Sequence, residues 1–447
     1  MYYTKRVMAQ KNDVCIGTVI AQGKNGDGVM MVHGMPVYVA NTVVGDTIEC
    51  RIVKCEKRRY YGKLLKLLTE GPDRVTPLCG VSDRCGGCQL QHQRYESQLT
   101  FKAGVLRERL SRYVSLPFIA AMISCENPYQ TRNKIQCAFD GVTGQLGLYA
   151  ARSHRVIPLN ACVMLPDAMN AVIAGIHAWH QNHGAPIFNE KTGVGVLRYV
   201  TIRYAAATNE LMVILTTATP FNTTAFCDAL SGISGMTSIY TSIQASESSD
   251  AVLGASLDLV WGRETITDCV GTIRCSVSPR SFMQANYRLV DRLYGWVLDH
   301  IAPQDPVADL YCGTGILTCL IAKRVSRVVG VDNNPDSIAN ARENALQNGV
   351  SPTFICADVA TYITGDRDSG IQTVILDPPR KGCSALVLDA LIQRPVPNII
   401  YISCCADTLG RDLRHLCQGG YHLETIQGVD MFCHTSHIEA IAVLRYA

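Results

Sequence analysis

The sequence Ala308-Asp309-Leu310-Tyr311-Cys312-Gly313-Thr314-Gly315 joins a short apolar run to a turn that contains two glycines. Gly313 and Gly315 are separated by one residue, a spacing that lets the backbone turn tightly and approach a ligand. The run before them, Val307–Leu310, is a candidate β-strand. We therefore predict the first strand of an α/β sheet here, with a ligand bound beyond the carboxyl end of that strand.

Strands and helices alternate from this point to the end of the chain. The candidate strands are Val307–Leu310, Val328–Val331, Thr353–Ile355, Thr373–Leu376, Ile399–Ile402 and Glu439–Leu444. Helical stretches, such as Asp336–Asn348, lie between most of them. This alternation predicts an α/β fold with a doubly wound parallel sheet, which we place at residues 279–447.

The N-terminal part of the chain has a different pattern, made of short strands with glycine-rich breaks. The five candidates are Thr18–Ile20, Val29–Val32, Val37–Val39, Thr47–Val53 and Gly62–Leu68. Such a series predicts a small OB-like β-barrel, which we place at residues 8–68. Residues 69–278 contain a helical stretch that begins near Tyr95 and several strand patterns, and we assign them to a central mixed α/β domain.

The charge of the chain is unevenly distributed. Residues 1–113 carry 18 Lys and Arg against 10 Asp and Glu, whereas the whole chain of 447 residues has a net charge of +3. Basic residues crowd the end of the predicted barrel beside Tyr60 and Tyr61: Lys54, Lys57, Arg58, Arg59, Lys63 and Lys66. Cations interleaved with aromatic rings are typical of RNA-binding surfaces, since they contact phosphates and stack on bases. The alternative is a solvated basic hairpin without a ligand.

Composition excludes several classes of protein. Apolar residues make up 47% and charged residues 18% of the chain, which is typical of a globular protein and not of a disordered one. Apolar runs such as Leu211–Leu215 are much shorter than the ~20 residues that cross a bilayer. No apolar segment follows Met1–Arg6, so we expect no export signal and a cytoplasmic protein whose 20 cysteines stay reduced.

Carboxylates at two further strand ends indicate a cofactor site. Asp332 ends the second strand, 17 residues after Gly315, where a carboxylate can bind both hydroxyls of a ribose. Asp377 ends the fourth strand in the sequence Asp-Pro-Pro-Arg-Lys-Gly, and the prolines can direct its side chain toward the ligand. Thr318 stands where a dinucleotide fingerprint has its third glycine. We therefore expect a nucleoside cofactor without a pyrophosphate, such as S-adenosylmethionine, rather than NAD.

The fifth strand ends in Ser403-Cys404-Cys405, which places a thiol beside the cofactor site. A cysteine there is a candidate nucleophile, and we expect a nearby helix N-terminus to lower its pKa. These residues alone leave both Cys404 and Cys405 open. Near the C-terminus, Glu439 begins the last apolar strand and is a candidate general base, with His434 or His437 in support.

Three cysteines in the central region indicate a metal site. Cys79, Cys85 and Cys88 lie close together in the chain, beside two glycines that allow it to wrap around a metal. A tetrahedral site needs a fourth thiolate, and the candidates are Cys125, Cys137 and Cys162. Four thiolates suit either zinc or a [4Fe–4S] cluster, and the spacing leaves both open.

Together, these motifs resemble those of the RNA uracil-5 methyltransferases, S-adenosylmethionine-dependent enzymes that make 5-methyluridine. The shared motifs are Ser278-Pro279-Arg280-Ser281-Phe282-Met283-Gln284-Ala285-Asn286, the Tyr-Cys-Gly-Thr-Gly turn, Asp-Pro-Pro-Arg-Lys-Gly, Tyr-Ile-Ser-Cys and His-Ile-Glu. The resemblance covers essentially the whole chain. The N-terminal barrel is similar to the family's RNA-binding TRAM domain, and Cys85–His92 is similar to its iron–sulfur segment. The combination is closest to the branch that modifies 23S ribosomal RNA.

The resemblance implies a role for each site residue. Cys404 becomes the nucleophile because it directly follows Tyr-x-Ser, and Glu439 becomes the base that removes the C5 proton. The implied contacts to the cofactor or the target base are Gln284, Tyr311, Gly313, Gly315, Asp332 and Asp377. The implied [4Fe–4S] ligands are Cys79, Cys85, Cys88 and Cys162. Two residues depart from the family pattern, since Cys405 stands in place of Asn and Cys433 in place of Pro.

The predicted function is therefore methyl transfer from S-adenosylmethionine to C5 of a uridine in RNA. We expect a monomer that acts on 23S rRNA and has no membrane partner. The alternatives are a tRNA uracil-5 methyltransferase, a non-catalytic RNA-binding protein with a zinc knuckle, and an iron–sulfur oxidoreductase. The intact Cys404 and Glu439 count against the second alternative, and the missing third glycine counts against the third.

Overall fold

The computed structural model describes residues 9–117, 119–245, 251–365 and 370–446. Met1–Arg6, on which the expectation of no export signal depends, and the outer domain boundaries Met8 and Ala447 lie outside these ranges. The chain divides into two compact units. The first unit contains the residues up to Val105 together with 149–155 and 432–437, and the second contains 106–148, 156–431 and the residues from Ile438 onward. The division into three domains at 8–68, 69–278 and 279–447 stays a prediction.

The first unit contains a six-stranded sheet. Its strands are β1 (Val14–Thr18), β2 (Ala21–Gln22), β3 (Gly28–Val32), β4 (Met35–Val39), β5 (Thr47–Glu56) and β6 (Arg59–Thr69). They lie in the order β1-β5-β6-β4-β3-β2, and Met30, Val37 and Ile48 are fully buried in their shared core. Four of the five predicted strands are confirmed. The first lies at Val14–Thr18 instead of Thr18–Ile20, because Val14 to Thr18 pair with β5. The closure into a TRAM-type barrel stays a prediction.

A second sheet occupies the central part of the chain. Its strands are β7 (Lys134–Phe139), β8 (Leu146–Tyr149), β9 (Val156–Pro158), β10 (Leu197–Ala205), β11 (Glu210–Thr217), β12 (Met236–Ile243) and β13 (Asp258–Gly262), in the order β13-β12-β11-β10-β7-β8-β9. The helices here are α1 (Tyr95–Leu110), α2 (Asp167–His183) and α3 (Thr224–Ser231). Trp179 of α2 contacts Phe226 of α3 edge-on, with 4.9 Å between ring centroids. A hairpin of β14 (Ile266–Val270) and β15 (Ile273–Val277) follows.

The C-terminal sheet confirms the predicted α/β alternation. Its strands are β16 (Val307–Leu310), β17 (Val328–Asp332), β18 (Thr353–Cys356), β19 (Thr373–Leu376), β20 (Asn398–Ser403), β21 (Tyr421–Val429) and β22 (Glu439–Tyr446). Its helices are α4 (Val290–Leu298), α5 (Ile316–Ala322), α6 (Pro335–Gln347), α7 (Val359–Thr364), α8 (Ala385–Gln393) and α9 (Ala406–Gln418). The strand order is β18-β17-β16-β19-β20-β22-β21. Among the helices that the structure describes, none is long and apolar enough to cross a membrane.

The prediction of a wholly parallel sheet is wrong at one edge. Strands β16 to β20 are parallel to one another, but β22 is antiparallel to both β20 and β21. After α9, the chain enters β21 at the edge of the sheet and leaves a gap between β20 and β21. Strand β22 then runs in the opposite direction and occupies this gap. Strand β22 therefore forms hydrogen bonds with β20 on one side and β21 on the other, and its first six residues, Glu439 to Leu444, are buried.

Candidate active site

Adjacent strands of the C-terminal sheet bring polar side chains to one edge. Asp377 follows the last residue of β19 and Cys404 follows the last residue of β20, so both lie at the carboxyl edge of these parallel strands. The antiparallel strand β22 begins with Glu439 at the same edge. Its register pairs Ala440 with Ser403, so the next pair outward is Glu439 and Cys404. Cross-strand neighbours of this kind have Cβ atoms ~5 Å apart.

Cys404 lies between groups of opposite charge. Burial raises the pKa of its thiol, and the carboxylates of Glu439 and Asp377 raise it further. A hydrogen bond from the guanidinium of Arg380 acts in the opposite direction, since it favours the thiolate. The expectation of a lowered pKa for this cysteine is therefore wrong, because desolvation and the two carboxylates outweigh the effect of Arg380.

The two neighbouring carboxyl groups hold their protons tightly. Burial raises the pKa of Glu439 well above its ordinary range, and Asp377 adds to the shift. The pKa of Asp377 rises to about 7 because its carboxyl is desolvated and lies near Asp309, although part of the side chain remains accessible. A carboxyl group that titrates near neutral pH is well matched to proton transfer, because both of its forms are populated.

Asp377 also lines a cavity on the β16 side of the sheet. Three further predicted cofactor contacts line the same cavity, namely Gln284, Tyr311 and Gly313. Four residues that were predicted as cofactor contacts, from three separate segments of the chain, therefore line one cavity. Four buried polar residues of this wall were not predicted as site residues: Asn133, Asp268, Asp309 and Thr314.

The turn after β16 has the tight conformation that its glycines predict. Gly313 and Gly315 have φ of 53° and 71°, in the left-handed region. A Cβ on Gly315 would lie 2.7 Å from both Ala341 and Phe354, so the close packing of α6 requires glycine there. Tyr311 has φ of 68°, which is rare for a non-glycine residue and typical of functional sites.

Asp332 braces this turn from the end of β17. Its carboxylate accepts hydrogen bonds from the backbone amides of Gly313 at 3.1 Å and Asn334 at 2.9 Å. These bonds hold the cofactor turn against the neighbouring strand. The predicted contact of Asp332 to a ribose stays a prediction.

Thr318 has a structural reason to replace the third glycine of a dinucleotide fingerprint. Its hydroxyl donates a hydrogen bond to Oδ2 of Asp309 at 2.5 Å, and both residues are buried. Burial nevertheless raises the pKa of Asp309 to about 7. The hydroxyl satisfies a carboxyl group that a glycine would leave unpaired.

A buried carboxylate on α9 holds the Arg380 loop in place. Oδ2 of Asp412 accepts hydrogen bonds from the Tyr401 hydroxyl at 2.7 Å and the Cys383 amide at 2.9 Å. Arg411 pairs with the other oxygen of Asp412 at 2.7 Å and donates to the carbonyl of Lys381. Asp412 was not predicted as a site residue. Its signal is a carboxylate at a position of α9 that shares the apolar face of Leu409, Leu413 and Leu416.

The predicted metal ligands are distributed over both units. Cys79, Cys85 and Cys88 belong to the first unit and Cys162 to the second, and all four side chains are half-buried. Burial raises the pKa of Cys85, and the nearby Cys79 raises it further. A hydrogen bond from the backbone amide of Gly87 opposes this shift. Within the part of the chain that the structure describes, no group of three or more His, Cys, Asp or Glu side chains is arranged to hold a metal ion. The thiolate site therefore stays a prediction.

The basic surface of β5 and β6 is smaller than the sequence suggests. Tyr60 is 2% exposed and belongs to the core of the sheet, so it cannot stack on a base. Lys54 and Arg59 both pair with Glu56, at 2.7 and 2.8 Å, and both lie 5.6 Å from the ring centre of Tyr61. Four exposed basic residues are left for a polyanion: Lys57, Arg58, Lys63 and Lys66.

His434 has partners within the first unit. Its backbone carbonyl accepts hydrogen bonds from the amides of Gln89 and Leu90, both at 2.9 Å. Its ring lies 3.2 Å from the side-chain nitrogen of Gln98, and the residue is buried with φ of 60°. These contacts give His434 a structural role in a tight loop.

Known proteins are similar to this chain along nearly its whole length. The model of the tRNA (Uracil-5-)-methyltransferase family matches residues 271–446. An RNA methyltransferase of Clostridium acetobutylicum is 33% identical over 437 residues, which cover 95% of each chain. An RNA methyltransferase of Clostridium tetani is 31% identical and covers 99% of this chain and 98% of its own length.

A solved structure supports the same relationship. The tRNA (uracil-54, C5)-methyltransferase of Pyrococcus abyssi, in complex with S-adenosyl-L-homocysteine, superposes with a TM-score of 0.81 and 27% identity. The match covers 96% of this chain and 99% of that one. The predicted membership in the RNA uracil-5 methyltransferase family is thus confirmed. The chain belongs to the RNA uracil-5 methyltransferases, and it is an S-adenosylmethionine-dependent enzyme.

Proposed function

We propose that this enzyme methylates C5 of a uridine in 23S ribosomal RNA by covalent catalysis, with Cys404 as the nucleophile and Glu439 as the base. The observation that carries this proposal is the register of β20 and β22, which pairs Ser403 with Ala440 and so brings the next residues, Cys404 and Glu439, close enough for Glu439 to raise the pKa of the thiol. Arg380 and Asp377 act on the same thiol. The cavity lined by Gln284, Tyr311, Gly313 and Asp377 is the proposed site of S-adenosylmethionine.

The thiolate of Cys404 attacks C6 of the uracil ring in the first step. The electron pair of the C5–C6 double bond then moves toward C5, which becomes nucleophilic like the carbon of an enolate. In free uracil, C5 is a poor nucleophile. Arg380 favours the thiolate and so raises the fraction of enzyme ready to attack. Bound S-adenosylmethionine supplies the methyl group that C5 accepts.

Glu439 completes the reaction by taking the C5 proton. Elimination of the Cys404 sulfur then restores the C5–C6 double bond and frees the methylated base. The raised pKa of Glu439 suits this step, because a more basic carboxylate accepts a carbon-bound proton more readily. The target nucleotide leaves its stack to reach the sheet edge, which costs a few kcal/mol unless it already lies in a loop.

The choice of 23S rRNA rests on the two N-terminal parts of the chain. The six-stranded sheet with its exposed basic residues and the Cys79–Cys88 segment resemble the parts that characterise the ribosomal branch. We propose that the sheet is a TRAM-type barrel that contacts RNA phosphates. We also propose that the enzyme is a monomer and acts in the cytoplasm.

A second candidate substrate is tRNA. It is supported by the Pyrococcus abyssi enzyme, which acts on uracil 54 of tRNA and matches this chain over 99% of its own length. An N-terminal part similar to that of this chain is therefore present in an enzyme that modifies tRNA.

One experiment separates the two RNA substrates. The full-length protein is incubated with S-adenosylmethionine and unmodified transcripts of 23S rRNA or tRNA, and 5-methyluridine is measured by mass spectrometry of the nucleosides. We expect 5-methyluridine in the rRNA, none in the tRNA, and none with Cys404→Ala. Product in tRNA alone would replace the proposed substrate, and absence of product in both would contradict the assignment.

We propose that Cys79, Cys85, Cys88 and Cys162 hold a [4Fe–4S] cluster. Soft thiolates are the ligands that such clusters require, and the proximity of Cys79 to Cys85 supports two of the four. The cluster would brace the chain, and none of the catalytic steps above depends on it.

A further inference from the structure

Asn133 lies in the wall of the proposed cofactor cavity, just before β7, and is 6% exposed. Its backbone is held on both sides, since its amide donates to the carbonyl of Ala285 at 3.2 Å and its carbonyl accepts from the amide of Tyr204 at 2.9 Å. Its side-chain nitrogen donates to the carbonyl of Gln284 at 2.9 Å. Asn133 therefore sits in a rigid position next to a predicted cofactor contact.

The side-chain oxygen of Asn133 is buried and has no hydrogen-bond partner among the described residues. The orientation of the amide is determined, because the carbonyl of Gln284 can only accept and must face the nitrogen. The oxygen is thus an acceptor without a donor. Leaving such a group unpaired is unfavourable, so a bound ligand is the expected source of the missing donor.

Asp268 of β14 lines the same cavity and is 3% exposed. Its Oδ1 accepts hydrogen bonds from the amides of Ala207 at 3.0 Å and Cys269 at 2.9 Å, which fix the carboxyl group. Burial raises the pKa of Asp268, and the hydrogen bonds from the Ala207 and Cys269 amides oppose this shift. Asn133 and Asp268 therefore contribute acceptor oxygens, and Asp268 adds a negative charge when ionised.

We propose that the side-chain oxygen of Asn133, together with the carboxylate of Asp268, binds the α-ammonium group of S-adenosylmethionine. This inference rests on the proposed cofactor site. An ammonium group has three N–H donors and a positive charge, which match a wall of neutral and anionic acceptors. The uracil ring has a single N–H between two carbonyl oxygens, and the carboxylate would repel those oxygens.

Calorimetric titration of the full-length protein without RNA tests this assignment. The two ligands are S-adenosylhomocysteine and its analogue in which hydrogen replaces the α-amino group. We expect the wild-type protein to bind the analogue about tenfold or more weakly, the scale of one hydrogen bond to a charged group.

Asn133→Ala separates a ligand contact from a structural role. Loss of the acceptor should weaken S-adenosylhomocysteine about tenfold and leave the analogue within about twofold, so the ratio of the two affinities falls toward one. If Asn133 only positions Gln284, both ligands weaken equally and the ratio is unchanged, which would overturn the proposal. Asp268→Asn, which keeps the shape of the side chain, should reduce the ratio in the same direction and provides a second variant.

Thr131→Val is the matched control. Thr131 is also buried with an unpaired hydroxyl two residues away, but it is not among the residues that line the cavity. We expect both affinities to stay within about twofold of wild type. Wild-type protein that methylates RNA but binds both ligands equally would overturn the ammonium site alone. Wild-type protein that binds neither ligand would overturn the proposed function as well.

Discussion

Cys404 and Cys405 are adjacent at the end of β20, yet the fold uses them differently. Cys405 is the N-cap of α9, its amide donates to the Ser403 hydroxyl at 3.1 Å, and its carbonyl accepts from that hydroxyl. Cys404 has the charged neighbours Arg380, Glu439 and Asp377. The residue that the resemblance selects as nucleophile is thus the one with charged neighbours, and among these Arg380 favours its thiolate.

The nucleophile and the base should fail at different steps. Cys404→Ser should give neither methyl transfer nor a protein–RNA adduct, because C6 is not attacked. Glu439→Gln should permit attack and methylation but not removal of the C5 proton, so the thiolate cannot leave. We expect a methylated covalent complex that migrates as a slow band on a denaturing gel.

Cys405→Ser is the control for this pair and should keep its activity, since a serine can also cap α9. An inactive Cys405→Ser together with an adduct in Cys404→Ser would move the nucleophile by one residue. Normal turnover by Glu439→Gln would assign the base to another group, and Asp377 would be tested next.

The raised pKa of Asp377 predicts a dependence of stability on pH. In the unfolded chain this carboxyl titrates near 3.9, whereas in the fold its pKa is about 7, so the folded state binds the proton more tightly. The resulting stabilisation is complete below about pH 4 and is lost as the pH rises toward 7. The asparagine of Asp377→Asn cannot ionise. The substitution should therefore increase the free energy of unfolding more at pH 8 than at pH 5, by about 1–2 kcal/mol.

Urea denaturation at the two pH values measures this difference. Asp299→Asn, at an exposed carboxylate that ends α4, should have the same small effect at both. Equal effects of Asp377→Asn at pH 5 and pH 8 would contradict the raised pKa.

At the scale of elements, α9 determines where Arg380 lies. Asp412 ties the loop after β19 to the helix through Tyr401 and Cys383, and Thr408 adds a bond to the carbonyl of Arg380 at 3.1 Å. Gly382 has φ of 74°, and a Cβ there would lie 2.5 Å from Asp412. The loop therefore has little freedom, and Asp412, which is fully buried, helps to position Arg380.

Asp412→Asn should disrupt this arrangement. If its side-chain NH₂ group takes the place of Oδ2, the Tyr401 hydroxyl and the Cys383 amide face a donor instead of an acceptor. We expect the free energy of unfolding to fall by about 2–4 kcal/mol. We also expect kcat to fall at least about tenfold, with the affinity for S-adenosylhomocysteine within about twofold. Alkylation of Cys404 by iodoacetamide should slow, since Arg380 no longer favours the thiolate.

Asp389→Asn provides the comparison on neighbouring helix α8. Asp389 pairs with His415 at 2.6 Å, but both side chains are more than 40% exposed, so its loss should cost less than about 1 kcal/mol. Full kcat and unchanged alkylation in Asp412→Asn would show that Arg380 is positioned by other contacts.

At the scale of the whole molecule, the first unit carries the basic strands and three of the predicted metal ligands. Replacement of Lys57, Arg58 and Lys63 by Glu should weaken RNA binding. The slope of log K against log salt should become shallower by about one for each lost phosphate contact. Arg324→Glu, just before β17 at the amino end of the sheet, is the control. An unchanged slope in the triple variant would mean that these residues form a solvated face.

The metal site is tested on anaerobically purified protein. We expect iron and sulfide in the wild type and their loss in Cys162→Ser. Cys137→Ser should keep both, because Cys137 is 1% exposed within β7 and packs in the core of the central sheet. Zinc without sulfide in the wild type would exclude the cluster, and loss of iron in Cys137→Ser alone would identify a different fourth ligand.

The sequence by itself determined the features that depend on contiguous residues. Strand and helix alternation, the turn at Gly313 and Gly315, and the strand-end positions of Asp377 and Cys404 all follow from local patterns and are present in the structure. These signals are local because backbone conformation and side-chain periodicity act over a few residues. The sequence pattern also included Tyr60 in a candidate RNA-binding surface. The structure excludes Tyr60 from that surface, because the pairing of β6 with β4 and β5 buries its side chain.

The tertiary structure alone decided how distant residues meet. A wholly parallel sheet would start its last strand at the edge away from Cys404, whereas the antiparallel β22 places Glu439 beside it. The role of the buried Asp412 likewise depends on the packing of α9 against the Arg380 loop. The unpaired oxygen of Asn133 is recognised only where the segment before β7 contacts Gln284. Local residue types do not encode these contacts, because strand direction and burial are settled by which long-range packing of the whole sheet has the lowest free energy.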